Sequence, residues 1–395
     1  MRVSELDSVR GIAAFVVLLH HLWETILPDQ NTFPLAGYPV AGSGSLGEAA
    51  FWISVSPLRL LFCGHAAVGV FFVLSGFVLT KSLQSSQQSG YLPFLVRRFF
   101  RIYPPFALVI LLAATLSWLM HPAPIAGRDW INQYWQAPVT PGLVLGHLSM
   151  FMTGGYYNSL NSPMWTLVHE LRISALFPPL AALACAYPRR TLAASVLTFS
   201  VLSVTHLTNF LVAPVHPELL REVALSIIQT LRYVMFFTFG ILIAAEYAWF
   251  DSLLTRYAWS RKYLWIAALG LLAVPYTKGY VEVCYAAGAF AVILLCIQSP
   301  AARTWLRRPA LQWLGKVSYS LYLVHLVLLI AAVYLLNGTL PIGAVLALVL
   351  VGSLFAAELL NRWVELPSSA LGKRLALRTA ELRSLRQAQV LTPPS

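Results

Sequence analysis

An arginine and a histidine stand eleven residues apart in the first apolar run, RGIAAFVVLLHH, at Arg10 and His21. On a helix that spacing is three turns and about 16 Å, so the two side chains share a face. Ionisable groups inside an apolar run are costly unless paired or hydrated, which makes them functional candidates. A neutral imidazole at mid-depth can take a proton from a hydroxyl, a task for which a buried lysine or arginine is poorly suited. The bland alternative is a core histidine bonded to a neighbouring helix. A second pair, Arg98 and Arg101 in RRFFRIYPP, projects from one helix face at i, i+3 and suits a phosphate-bearing ligand. The same arginines fit a plain topology signal equally well. A third group lies in SPMWTLVHELRIS, where His169, Glu170 and Arg172 crowd the first turns after Pro163. His65, Arg232 and His325 are more isolated, and each reads as well as a satisfied polar contact.

The elements that carry these groups are membrane helices. Of 395 residues, 58% are apolar and 11% charged, too few charges to make a polar surface; a soluble domain carries about 25%. Apolar runs long enough to cross a hydrocarbon core fall at 10–27, 60–80, 99–120, 165–187, 192–213, 223–245, 263–276, 280–298, 317–336 and 341–361. They predict an all-α integral membrane protein, a bundle of about ten transmembrane helices with both termini cytoplasmic. With that orientation Lys and Arg gather on the cytoplasmic side, and only Arg59, Arg128, Arg221 and Lys278 fall opposite. The net charge of +12 is therefore a topology signal rather than a sign of nucleic-acid binding. His20, His21 and Glu24 interrupt the first run, so it is not expected to be a cleaved signal. One transmembrane domain, 1–371, and a basic cytoplasmic tail, 372–395, are predicted, with no chemistry assigned to the tail. Cys63, Cys185, Cys284 and Cys296 lie in or beside apolar runs without metal-ligand spacing, and they read as buried free thiols with no metal site. Two outer segments, 28–59 and 121–164, are long; Trp130, Tyr134, Trp135, Tyr156 and Tyr157 in the second fit either an acceptor vestibule or an interfacial belt.

Five segments in order, LDSVRGIAAFVVLLHH, GVFFVLSGFVLT, FLVRRFFRIYPP, MWTLVHELRIS and KVSYSLYLVHLVLL, together resemble the acyltransferase-3 family of integral-membrane O-acyltransferases. The resemblance extends over most of the chain. It implies ten core helices, acyl-CoA as a cytoplasmic donor, and hydroxyl acceptors, commonly on cell-surface sugars. The family's Arg-x10-His falls on Arg10 and His21, its Arg-x-x-Arg on Arg98 and Arg101, and its Ser-Gly-Phe on Ser75, Gly76 and Phe77. Its Trp-Ser-Leu-x-x-Glu falls on Trp165, Thr166, Leu167 and Glu170, with Thr keeping the hydroxyl. Where many members carry an acid, this chain has Gly69.

The expected function is transfer of an acyl group, acetyl by preference, from acyl-CoA to a hydroxyl of a cell-surface or lipid-linked carbohydrate in the inner (plasma) membrane. In that reading Arg10, Arg98 and Arg101 hold the donor's phosphates, and Ser75 and Gly76 belong to the donor site, Gly76 by admitting close backbone approach. His21 is the general base, and Glu170 orients it, stabilises its cation or binds the acceptor. No tightly bound cofactor or metal is expected; the partners are membrane lipid, donor and acceptor, with a homodimer allowed. The competing readings are a transporter or flippase of a sugar- or acyl-lipid, and an acyl-CoA-binding protein without catalysis. A transporter gives no reason for the Arg–His spacing.

Overall fold

Among the described residues of this computed structural model (4–27, 44–85, 90–151, 159–204, 218–275 and 280–391) the secondary structure is helical and no strand occurs. In chain order the helices are α1 (Ser4–Ile26), α2 (Gly44–Val55), α3 (Gly64–Ser85), α4 (Tyr91–Met120), α5 (Pro141–Ser149), α6 (Met164–Ala186), α7 (Pro188–Leu202) and α8 (Glu218–Ala245). There follow α9 (Tyr247–Arg256), α10 (Arg261–Leu272), α11 (Val281–Gln298), α12 (Pro300–Leu306), α13 (Pro309–Leu336), α14 (Ile342–Leu360) and α15 (Leu366–Leu391).

Among the described residues, eight helical segments are long and apolar enough to cross a membrane: α1, α3, α4, α6, α8, α11, α13, and α14 continued into α15. Two of the ten predicted spans are shorter as described. Helix α7 has 15 residues and α10 has 12, and the predicted ends of both spans run into positions outside the described residues. The outward faces suit lipid: Leu111 and Leu112 of α4 and Leu348, Val351 and Phe355 of α14 are all exposed. Such faces would be a liability in water. The four cysteines are free, and Cys185 is exposed rather than buried.

Lipid tails are as apolar as leucine, so helices associate here by close packing and polar contacts rather than by hydrophobic burial. Two glycine crossings supply that packing. A Cβ on Gly11 would lie 2.5 Å from the Gly315 nitrogen, and one on Gly315 would strike the Asp7 carbonyl, so α1 and α13 touch backbone to backbone. These two helices run parallel and in register: Gln312 donates to the Ser8 hydroxyl at 2.7 Å, and His21 meets His325, each pair separated by 304 residues. Glu5 accepts from Arg303 and Arg307 at the lower end of the same contact. The second crossing joins α3 to α8, where a Cβ on Gly76 would strike the Phe237 carbonyl and one on Gly240 would lie 2.6 Å from the Phe77 nitrogen. This corrects the donor-site reading of Gly76: the close approach that it permits is between helices.

Three other expectations change with the fold. Helix α4 begins at Tyr91, ahead of the predicted span at 99–120, so Arg98 lies two turns inside the helix and is buried rather than just outside the span. Trp130, Tyr134 and Trp135 are buried in the bundle rather than arrayed as an interfacial belt, and the Trp135 indole donates to the Leu160 carbonyl at 3.0 Å. Tyr156 and Tyr157 lie outside the described residues. The tail is not separate: α14 passes through a π-helical turn, Asn361–Glu365, into α15. There a Cβ on Gly372 would sit 2.6 Å from the Phe100 side chain, so α15 packs closely on α4.

Candidate active site

The depth of α6 decides which residues meet. Tyr322 is near the middle of the 28-residue α13, and its hydroxyl donates to the Pro163 carbonyl at 3.1 Å and lies 2.8 Å from the Thr166 hydroxyl. The Asn161 amide donates to the Leu323 carbonyl at 3.0 Å. The chain has thus entered the bundle to half its height before α6 begins. Glu170 is consequently carried to the level of Arg98 and forms a close ion pair with it. Ser75 donates to the same carboxylate oxygen at 3.2 Å, and Arg98 Nε donates to the Ser174 hydroxyl at 3.1 Å. Glu170 is therefore bound to the arginine motif and to Ser75, not to His21. The other ionisable residues of this region are held by neighbours: His169 by Thr230 at 2.9 Å, Arg172 by Ser226 at 2.8 Å, and Arg232 by Glu282 at 3.2 Å.

A cavity of about 620 Å³ lies between α1, α3, α4, α6, α13 and α15. That is within the size range of small-molecule sites. Arg10, Ser75, Arg98, Arg101 and Glu170 all line it. Arg10 lies 3.6 Å from Asp7, and Arg101 has no ion-pair partner among the described residues. The wall contributed by α3 extends from Phe71 to Ser82, about 16 Å along the helix. One end holds Phe71, Thr166 and Tyr322; the other holds Lys81, Arg97 and Lys373. Gly69 faces Phe236 at 2.9 Å from its bare Cβ position, a site for apolar packing.

His21 does not line this cavity. It lies beyond the Tyr322 end, where Gly315, Ser318, Tyr322 and then His325 follow one stripe of α13. Tyr322 and His325 rings are 6.0 Å apart, and His325 Nε2 is 2.8 Å from His21 Nδ1. The hydrogen-bond pattern fixes the tautomers. His325 Nδ1 is 3.0 Å from the Leu321 carbonyl and must donate to it, which leaves His325 Nε2 as an acceptor. His21 Nδ1 then carries the proton, and His21 Nε2 keeps its lone pair. The Trp130 indole stacks on the other side of His21, centroids 5.5 Å apart and planes at 22°. His20 points elsewhere: its Nδ1 donates to the Phe62 carbonyl at 2.9 Å, its Nε2 is 3.4 Å from Glu24, and its ring fills the space beside Gly64.

Sequence alone gives His325 too little weight, offers Trp130 only as one of several aromatics of an outer segment, and does not place Tyr322 in the site. One signal was available for His325: it lies nine residues past Lys316, much as His21 lies eleven past Arg10, which sets both imidazoles at a similar depth. Nothing in the sequence pointed to Ser369 and Lys373 of α15, which line the cavity.

The arrangement, a basic cavity leading toward an imidazole with one free nitrogen, can be set beside known proteins. Acyltransferase MdmB of Streptomyces mycarofaciens is 27% identical over 421 residues, covering 99% of this chain and 98% of that protein. No solved structure matches. A family model described as an acyltransferase domain matches residues 3–358, nearly the whole chain, and with its apolar helices this makes the protein a multi-pass membrane acyltransferase of the acyltransferase-3 family.

Proposed function

We propose that this acyltransferase takes its acyl group, acetyl by preference, from cytoplasmic acyl-CoA and passes it to a hydroxyl of a cell-surface or lipid-linked carbohydrate. The observation that carries the reading is the direction of the site: cations line the cavity, and the stripe of α13 leads from it to the free nitrogen of His21. The donor's diphosphate rests on Arg10, Arg98 and Arg101, and its thioester reaches past Tyr322. His21 Nε2 removes the proton as the acceptor oxygen attacks the thioester carbon; the C–O bond forms, the C–S bond breaks, and the proton passes to the departing thiolate. An acyl-imidazole intermediate would use the same lone pair. His325 is a positioning residue that fixes the tautomer of His21, and Glu170 with Ser75 positions Arg98.

Radiolabelled acetyl-CoA supplied to purified protein with crude envelope glycans tests this directly. Label is expected in the glycan fraction, and Arg101→Ala protein should bind the donor about tenfold more weakly. Binding without transfer would make the protein a sensor, and no binding would remove acyl-CoA as the donor.

The same reading orients the chain in the inner membrane with the Lys81, Arg97 and Lys373 end of the cavity, and both termini, in the cytoplasm. Terminal tags should report cytoplasmic. A cysteine at the exposed Ala126 should label from outside; Asn132 is a poor probe because its side chain holds both polar groups of Ile125. Labelling of Ala126→Cys only from the cytoplasm would invert the arrangement.

A further inference from the structure

The family match ends at residue 358, yet the cavity wall continues beyond it. The π-helical turn at Asn361–Glu365 leads into α15 beside α4, and close packing of Gly372 on Phe100 holds it there. Ser369 and Lys373 face the cavity from this helix. A π-turn inside a long helix commonly marks a functional position. The cations around the cavity differ in whether a carboxylate answers them. Lys316 lies 3.6 Å from Glu358, which also binds Arg362, so its charge is already answered. Arg98 is answered by Glu170. Lys373 is exposed at the open end with no ion-pair partner among the described residues.

We propose that α15 forms part of the donor site and that Lys373 binds the ribose 3′-phosphate of acyl-CoA, so that the protein distinguishes coenzyme A from its 3′-dephospho form. The inference rests on the acyl-CoA reading given above. Its logic is the order of groups along the donor: with the thioester deepest, the diphosphate comes next and the ribose phosphate outermost. The buried and half-buried arginines meet the first of these phosphates, and a cation at the mouth meets the last. An ammonium on a flexible stem suits a phosphate monoester held at the edge of water.

Binding of coenzyme A and 3′-dephospho-coenzyme A to the purified full chain, measured by titration calorimetry, tests it. Wild-type protein is expected to prefer coenzyme A. Lys373→Ala should lose about tenfold toward coenzyme A, the low end for a charge-assisted contact because the ammonium stays hydrated. Its affinity for the dephospho form should be unchanged, and Lys373→Arg should keep the preference. A preference that survives Lys373→Ala, or an equal loss toward both ligands, overturns the assignment while leaving acyl-CoA as donor. Wild-type protein that binds neither ligand overturns the donor reading and this inference with it.

Discussion

His21→Gln protein is expected to bind acyl-CoA with near wild-type affinity and to transfer almost nothing, a loss of about 10²–10⁴-fold. Glutamine retains a hydrogen bond to His325 but offers no nitrogen that is basic at neutral pH. A histidine that only packs would tolerate the change. The companion substitution is at His325, which is fully buried. His325→Ala removes the acceptor for His21 Nδ1–H and opens a void, so it should impair both turnover and stability. His325→Gln separates the two effects, because its amide oxygen can still accept from His21 Nδ1. It should recover a substantial part of the turnover lost in His325→Ala, with donor binding unchanged throughout. His20→Ala should lower stability more than turnover, since that ring holds the Phe62 carbonyl and faces Glu24. Near-normal turnover by folded His21→Gln protein would end the general-base assignment.

The second large effect concerns Arg98 and Glu170, and it is an effect on stability as well as on binding. Their side chains are 10% and 21% exposed. Removing one partner of such a pair strands the other charge, at a cost of about 3–5 kcal/mol. Arg98→Ala should therefore lower the thermal midpoint, and added coenzyme A should not restore it, because the stranded group is then a carboxylate. Glu170→Gln strands Arg98 in a cavity that Arg10 and Arg101 also line. An anion can replace the missing counter-charge, so coenzyme A should raise the midpoint of Glu170→Gln protein more than that of wild type. A ligand at a hundred times its Kd contributes about 2.7 kcal/mol, enough to recover much of the loss. Equal shifts in the two proteins would mean that Arg98 does not meet the donor.

What could be read along the chain was what lies on one element. Arg10 and His21 are eleven residues apart on α1, so their common helix face was legible from spacing alone. The partner of each was not legible. His21 meets His325 through the register of α1 on α13, which depends on where two glycines let backbones touch. Glu170 meets Arg98 because the segment before α6 descends into the bundle, and the hydropathy of α6 itself says nothing about the depth at which it begins. Burial of Arg98 was hidden for a similar reason: the apolar run starts just after it, at residue 99, whereas the helix starts before it, at Tyr91. Gly76 was identified correctly as a place of close approach, but sequence does not say what approaches.

The α1–α13 contact has a mechanical side. Gly11 to His21 and Gly315 to His325 are equal lengths of ten residues, about 15 Å of helix on each side of a shared pivot. Parallel rods joined at such a point behave like the blades of scissors. A change of crossing angle of about 10°, well inside the scatter that packed helices show, would part the blade tips by roughly 2–3 Å. That is as large as the 2.8 Å separation of the two imidazole nitrogens. The proton arrangement of His21 is thus tied to the angle between two helices, and anything that spreads them, from a longer side chain at the pivot to a change in the surrounding bilayer, would disarm the base without touching it.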